Sequence, residues 1–336
     1  MLETVALNPS SVERIAVRAT NWLGDAVMSL PALRAVRSVF PHAHLAVVAK
    51  PAVAGIYTRE RAADQVIVYS GSRTECAATL RAGRFDAAIL FQNAFDAALL
   101  AWTAGIPERI GYRRDGRGLL LTRAIPVPEP GEIPRHERFY YLELLRRAGL
   151  MERFPECGAI RLDRLDEARQ AGTGRLRKLG IEGPAIGISP GAAYGGAKRY
   201  ERFPEVAQAL APAEFLIFGS PSEEALCASV AAQIPGARNL AGRTSLADFI
   251  ELAAACRVFL TNDSGAMHVA SALGVPTVTV FGATDDTTTG PTGPLARIVR
   301  EHAECSPCLL RECPIDHRCM TRVAPERVAA AAREFL

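Results

Sequence analysis

The sequence predicts an α/β protein made of two doubly wound parallel sheets. Three observations predict it. Its 336 residues, at roughly 150 residues per domain, set a prior of about two domains. The apolar pattern switches repeatedly between strand-like runs and helix-like spacing. That alternation runs through the chain as two successive series, and strands alternating with helices imply parallel sheets covered on both faces.

In the first series, residues 14–20 (RIAVRAT) read as a strand and 26–40 (AVMSLPALRAVRSVF) as an amphipathic helix with Pro31 near its first turns. Residues 44–49 (HLAVVA) give a second strand and 65–69 a short third. A helix at 74–82 precedes a buried strand at 85–91 (FDAAILF), and a helix at 94–103 follows. A short strand at 109–112 and a helix at 136–148 complete the series. After a linker-like stretch, a charged helix at 163–179 opens the second series. Its strands are expected at 185–189, 214–218, 238–240, 258–261 and 277–281. Its helices are expected at 203–210, 223–233, 246–254 and 266–273, with a closing helix at 324–335. The expected domains are 1–165, 166–323 and a C-terminal helix at 324–336. Ligands of such sheets bind outside the carboxyl ends of the strands, so two facing domains are expected to share a cleft.

Composition excludes other classes. Hydrophobic residues make up 49% and charged residues 22%, near the averages for globular proteins, which argues against disorder, a fibre or a coiled coil. The longest apolar-looking stretch, 87–106, contains Gln92, Asn93 and Asp96 and fails the test of about 18 uninterrupted apolar residues for a membrane span. The start, MLETVALNPSSVER, has no basic region followed by an apolar run, so no cleaved secretory signal is expected, and the cytoplasm is the default compartment. A net charge of +3 is too mild to argue for nucleic acid. Residues 1–160 hold 20 basic and 16 acidic side chains (+4), whereas 161–336 hold 19 and 20 (−1). Arg109, Arg113, Arg114, Arg117 and Arg123 stand close together with only Asp115 among the acids between them. Such clusters suit bidentate recognition of phosphate and carboxylate, or form a solvated basic face.

Five segments carry chemistry. Asn21-Trp22-Leu23-Gly24-Asp25 follows the first strand, so Asp25 is either a helix cap or a carboxylate able to take a proton from a hydroxyl. Ser189 to Arg199 (SPGAAYGGAKR) nearly reads as a P-loop. Lys198 stands one place late, however, and Arg199 occupies the position of the Mg²⁺-binding Ser or Thr, so phosphate contact without a metal is what survives. Thr261 to His268 (TNDSGAMH) offers the backbone N–H groups of Ser264, Gly265 and Ala266 to an anion at a helix N-terminus, with His268 as a further donor. The alternative is ordinary capping by Asp263 or Ser264, with His268 exposed. Phe218 to Glu224 (FGSPSEE) places acids where ribose hydroxyls are held in dinucleotide folds, though a helix N-terminus attracts Glu anyway. Finally, Cys305, Cys308, Cys313 and Cys319, with His317 among them, are half of the eight cysteines. Zinc, a redox pair and free packing thiols are all open there. GxGxxG, Asp-x-Asp and HExxH do not occur.

Together NWLGDAVMSLPALRAVR, RFDAAILFQNAFDAALLAWTAGIPERIGY, RHERFYYLELLRRAG, SPGAAYGGAKRY and TNDSGAMHVASALGVPTVTVFG resemble glycosyltransferase family 9, the heptosyltransferases of lipopolysaccharide core assembly in Gram-negative bacteria. Within that family the likeness is to the ADP-heptose:lipopolysaccharide heptosyltransferase II branch. The resemblance implies a GT-B fold: two Rossmann-like domains, with the acceptor on the first and the nucleotide sugar on the second. It implies Asp25 as catalytic base and Lys198 on the donor phosphates. It implies Asp263, Ser264, Gly265, Ala266 and His268 as the diphosphate turn, Glu223 on the ribose and Thr244 by the adenine. Asn21, Arg109 and Arg113 are the expected acceptor contacts.

The implied reaction is an inverting displacement, which needs one base. Lys198, the turn and His268 would stabilise the ADP leaving group without a metal. The donor would be ADP-heptose and no cofactor is expected. The partners would be a nascent lipopolysaccharide core and the inner face of the inner membrane. A sibling transferase of heptosyltransferase I or III type, one using another nucleotide sugar, and a non-catalytic nucleotide-binding module are the rival readings.

Overall fold

The computed structural model describes residues 11–336; the first ten, on which part of the N-terminal reading rests, lie outside the described residues. By its internal contacts the chain divides into two compact units, Met1–Cys157 and Gly158–Leu336.

The first unit carries strands β1 Arg14–Arg18, β2 His44–Ala49, β3 Gln65–Val68, β4 Ala87–Leu90, β5 Glu108–Tyr112 and β6 Arg123–Ile125. They form one parallel sheet in the order β3-β2-β1-β4-β5-β6. The second unit carries β7 Ala185–Ser189, β8 Glu214–Ile217, β9 Arg238–Asn239, β10 Val258–Asn262, β11 Thr277–Val280 and β12 Ala296–Val299. Their order is β12-β11-β10-β7-β8-β9, again all parallel. Both are the doubly wound Rossmann order. The winding reverses between β1 and β4 and between β7 and β10, and those reversals are where such sheets hold ligands.

Burial explains the strand sequences. β4 (AAIL), β7 (AIGIS) and β11 (TVTV) are buried at every residue, as strands must be when helices cover both faces. The second unit packs Ile186, Ile188, Leu260, Val278 and Val280 of the sheet against Phe203 and Val206 and against Val328, Ala329 and Ala332 of the last helix, Pro325–Arg333. That last helix is therefore part of the second unit's core.

Several elements differ from expectation. The helix expected at 26–40 is two helices, Leu23–Met28 and Leu30–Val39. Pro31 sits in the first turn of the second, where its missing N–H costs nothing, and the Ser29 hydroxyl donates to the Ala26 carbonyl at 2.9 Å across the break. A helix at Pro51–Tyr57 was not expected, nor were the short edge strands β6 and β12. Among the described residues, no helix is long and apolar enough to cross a membrane.

Candidate active site

The second unit's site grows from the ends of β7 and β10. Asn262, the last residue of β10 and fully buried, ties the two loops together. Its Nδ2 donates to the carbonyls of Pro190 (2.7 Å) and Gly191 (3.3 Å), and its Oδ1 accepts from the Tyr200 N–H (3.0 Å). Asp263 follows, 5% exposed. It accepts from Lys198 Nζ at 2.5 Å and from the Thr284 hydroxyl at 2.6 Å. A carboxylate so placed holds the ammonium in one position; it is the counter-ion of Lys198 rather than itself an anion ligand. Asn262 and Thr284 had no role in the sequence reading. The TND string at a strand end marked the place for the first, while nothing local to Thr284 marked the second.

Helix Gly265–Ala272 starts at Ser264 with no side-chain cap. Ser264, Gly265 and Ala266 are half-buried there, and an anion would find first-turn N–H groups and the positive end of the helix dipole. His268 is buried in the same helix, so the alternative in which it is merely exposed does not hold.

Glu223 closes a short turn: its Oε2 accepts from the Ser220 N–H (2.9 Å) and hydroxyl (2.7 Å). Its Oε1 lies against Gly191, where a Cβ would stand 1.9 Å away. The Gly242 N–H donates to the Gly219 carbonyl at 3.1 Å, which draws the loop before Thr244 towards the Glu223 turn. Lys198, Glu223, Thr244, Asp263, Ser264, Gly265, Ala266 and His268 thus all lie beyond the carboxyl ends of the second sheet.

In the first unit, Asp25 falls in the first turn of Leu23–Met28, whose cap position is Trp22 and carries no side-chain cap bond. Asp25 is therefore not the cap. Its charge is felt by Tyr57, Glu137 and Tyr141. Glu137 is pushed up to about 7, first by burial and then by Asp25, with Arg114 opposing. Asp25 and Glu137 therefore feel each other's charge at this end of the sheet, and Glu137 is the one whose protonated form is favoured. Glu137 escaped the sequence reading because its helix is amphipathic throughout and its own position looks like an ordinary helix start. Asn21 is close by, its Oδ1 accepting from Arg18 Nη2 at 2.8 Å.

The arginine cluster separates into different jobs. Arg109 lies near the amino end of β5, paired with Ala88. Its guanidinium donates to the carbonyls of Leu120 (2.7 Å) and Ile106 (2.5 Å). The structure thus places the Arg109 guanidinium on backbone carbonyls near the amino end of its strand. Arg117 is fully buried and donates to the Tyr112 carbonyl (2.8 Å), to Asn93 Oδ1 (3.1 Å) and to the Gln92 carbonyl. Burial lowers it to about 10, with Tyr140 and Asp115 opposing. Arg123 pairs with Glu108 at 3.1 Å. Arg113 and Arg114 remain exposed past the end of β5, with Arg114 Nη1 donating to the Tyr140 hydroxyl at 3.4 Å.

Cys305, Cys308, Cys313 and Cys319 are free thiols. Burial, and then the three other thiols, push Cys319 up. Among the described residues no three His, Cys, Asp or Glu side chains are grouped to hold a metal ion, so the zinc reading of this cluster finds no ligand cage.

A scan of family models matches glycosyltransferase family 9 (heptosyltransferase) over residues 73–318. Lipopolysaccharide heptosyltransferase 2 of Escherichia coli K12 is 31% identical over 307 residues, covering 85% of this chain and 88% of its own. Lipooligosaccharide heptosyltransferase 2 of Campylobacter jejuni (strain 81116) is 26% identical, covering 94% and 96%. The solved structure of E. coli ADP-heptose LPS heptosyltransferase II is similar with a TM-score of 0.81 at 28% identity, covering 96% of this chain and 98% of that one. Two Rossmann-like units of the GT-B type, a Lys–Asp pair and an uncapped helix start at the second reversal point, and a match this long leave one assignment: the chain belongs to glycosyltransferase family 9 and is a glycosyltransferase.

Proposed function

We propose that this enzyme transfers heptose from ADP-L-glycero-D-manno-heptose to the inner-core heptose of a nascent lipopolysaccharide, with inversion, without a metal, and with Asp25 as base. The observation that carries the reading is the set of groups beyond β7 and β10: a lysine fixed by a buried aspartate at 2.5 Å, beside a helix start no side chain caps. Those are the parts a departing diphosphate needs. The heptosyltransferase 2 relatives support the sugar and the acceptor.

The second unit is the donor unit in this reading. Glu223 would take ribose hydroxyls, the loop at Thr244 would meet the base, and Lys198 with the Ser264–Ala266 N–H groups and His268 would hold the phosphates. The first unit is the acceptor unit. Asp25 takes the proton of the acceptor hydroxyl while that oxygen forms the new bond to the anomeric carbon. The bond from that carbon to the β-phosphate oxygen breaks, and ADP leaves with the electron pair. Asn21, Arg113 and Arg114 suit an acceptor rich in carboxylate and phosphate. An enzyme of this kind works in the cytoplasm, at the inner face of the inner membrane.

The test is a transfer assay with ADP-heptose and defined truncated cores. Product on a core that ends in one heptose is expected. Product on a core with no heptose indicates a heptosyltransferase I type, and activity only with UDP- or GDP-sugars overturns the donor. EDTA should leave the rate unchanged. Asp25→Ala should abolish turnover with ADP affinity retained; a large loss of ADP affinity would make Asp25 structural.

A further inference from the structure

The segment 301–317 has no helix or strand, yet it is fastened to the glycine-rich loop at several points. The Ala197 N–H donates to the Arg311 carbonyl at 2.9 Å. The Gly196 N–H donates to Glu312 Oε1 at 3.0 Å, and His317 Nε2 meets the Ala197 carbonyl at 2.9 Å. Gly195 is glycine for a stated reason: a Cβ there would lie 2.2 Å from the Arg311 carbonyl oxygen. These contacts hold the Arg311 backbone against the loop that presents Lys198.

The Arg311 side chain is held as well. Its guanidinium carbon lies 5.3 Å from the centroid of the Tyr194 ring, and Lys198 Nζ lies 4.7 Å from the same centroid. The Tyr194 hydroxyl donates to the Leu309 carbonyl at 2.7 Å, which fixes the ring to the same segment. One aromatic ring thus carries two cations, and the two centroid distances put them no more than about 10 Å apart.

Their charges are not equally available. Lys198 is paired with Asp263 at 2.5 Å, so much of its charge is already balanced. Arg311 is exposed and, among the described residues, forms no ion pair. The neighbouring Glu312 carboxylate is taken by the Gly196 N–H. A diphosphate carries more negative charge than one half-neutralised ammonium can meet, and a guanidinium offers it a fork of donors.

We propose that Arg311 is a second donor-phosphate ligand, held ready by Tyr194 beside Lys198. This rests on the reading of the second unit as the nucleotide-sugar site.

The experiment is calorimetric titration of the full-length wild type, Arg311→Ala and Arg311→Lys with ADP and with adenosine, with melting temperature measured on each. Arg311→Ala should lose tenfold or more in ADP affinity, keep its adenosine affinity, and melt as wild type. Arg311→Lys should recover part of the loss. The salt dependence of ADP binding should flatten in Arg311→Ala, because one phosphate contact is gone. Unchanged ADP affinity overturns the proposal. So does an equal loss for ADP and adenosine, which would make Arg311 a packing residue of the loop. If the wild type prefers another nucleoside diphosphate to ADP, the donor assignment fails. Arg311 is then judged by the same comparison between that nucleotide and its nucleoside.

Discussion

Two carboxylates define the chemistry at the scale of single residues, and each has a measurable signature. Asp263 and Lys198 are both largely buried, with 5% and 12% of their side chains exposed. Removing one partner of such a pair strands the other charge away from water, at a cost of about 3 kcal/mol or more. Asp263→Asn should therefore lower the urea midpoint at unchanged m-value. It should also weaken ADP binding, since Lys198 is no longer aimed. An undiminished midpoint would mean that the pair contributes no net stability.

Glu137 gives the opposite signature. Its folded value is raised from about 4.5 to about 7. Below the lower value both folded and unfolded chains hold the proton, and the group costs nothing. As pH rises towards 7 the unfolded chain releases the proton first, so stability falls through that window and stays reduced above it. The shift corresponds to a penalty on the order of 3 kcal/mol. Glu137→Gln should thus be more stable than wild type at pH 8 and equal to it at pH 4. A variant that gains nothing at pH 8 would show that Glu137 ionises freely.

Helix packing sets the next scale. Helices Leu165–Lys178 and Leu246–Ala254 meet at Gly172, where a Cβ would lie 1.9 Å from the backbone carbonyl oxygen of Glu251. Arg175 straps the same pair, with ion pairs to Asp248 (2.5 Å) and Glu251 (2.6 Å). Backbone cannot swing aside as a side chain can, so Gly172→Ala should force the helices apart and cost roughly 1–3 kcal/mol. Thermal melting checks this, and a melting temperature at or above wild type would contradict the close approach. Nothing in the sequence around Gly172 distinguishes it from Gly174, two residues on and unobstructed; the difference lies in a partner helix more than 70 residues away.

The same asymmetry governs what was legible. β2 and β7 were readable to the residue because their runs are apolar and both sheet faces are covered. β6 and β12 were not, being short edge strands with little apolar signal. The placement of Asp25, Lys198 and the 263–268 turn in strand–loop–helix junctions was readable because such junctions carry a local pattern. The fates of Arg109 and Arg117 were not, because their guanidinium partners are backbone carbonyls of other segments. An arginine's sequence neighbours do not say whether it faces a ligand or a carbonyl.

For the whole molecule the question is whether the two units divide the substrates. Each has its own sheet and its own core, so each can record a ligand locally as slowed amide exchange. A ligand that binds only the folded site stabilises it by about 2.7 kcal/mol at a hundredfold excess over Kd. Amides that exchange by opening that site are slowed accordingly. With saturating ADP, protection should rise at 191–198, 219–224 and 264–268, around the ends of β7, β8 and β10. A heptose-terminated core oligosaccharide should instead protect 20–25, 91–94 and 113–115, around the ends of β1, β4 and β5. The charge split of +4 against −1 between residues 1–160 and 161–336 leads to the same pairing, because the proposed acceptor is the bulkier anion and steering by net charge acts over a Debye length. Raising salt should therefore weaken core binding more than ADP binding, which depends on placed groups close to the phosphates. Protection of the first unit by ADP with none in the second would reverse the assignment of donor and acceptor.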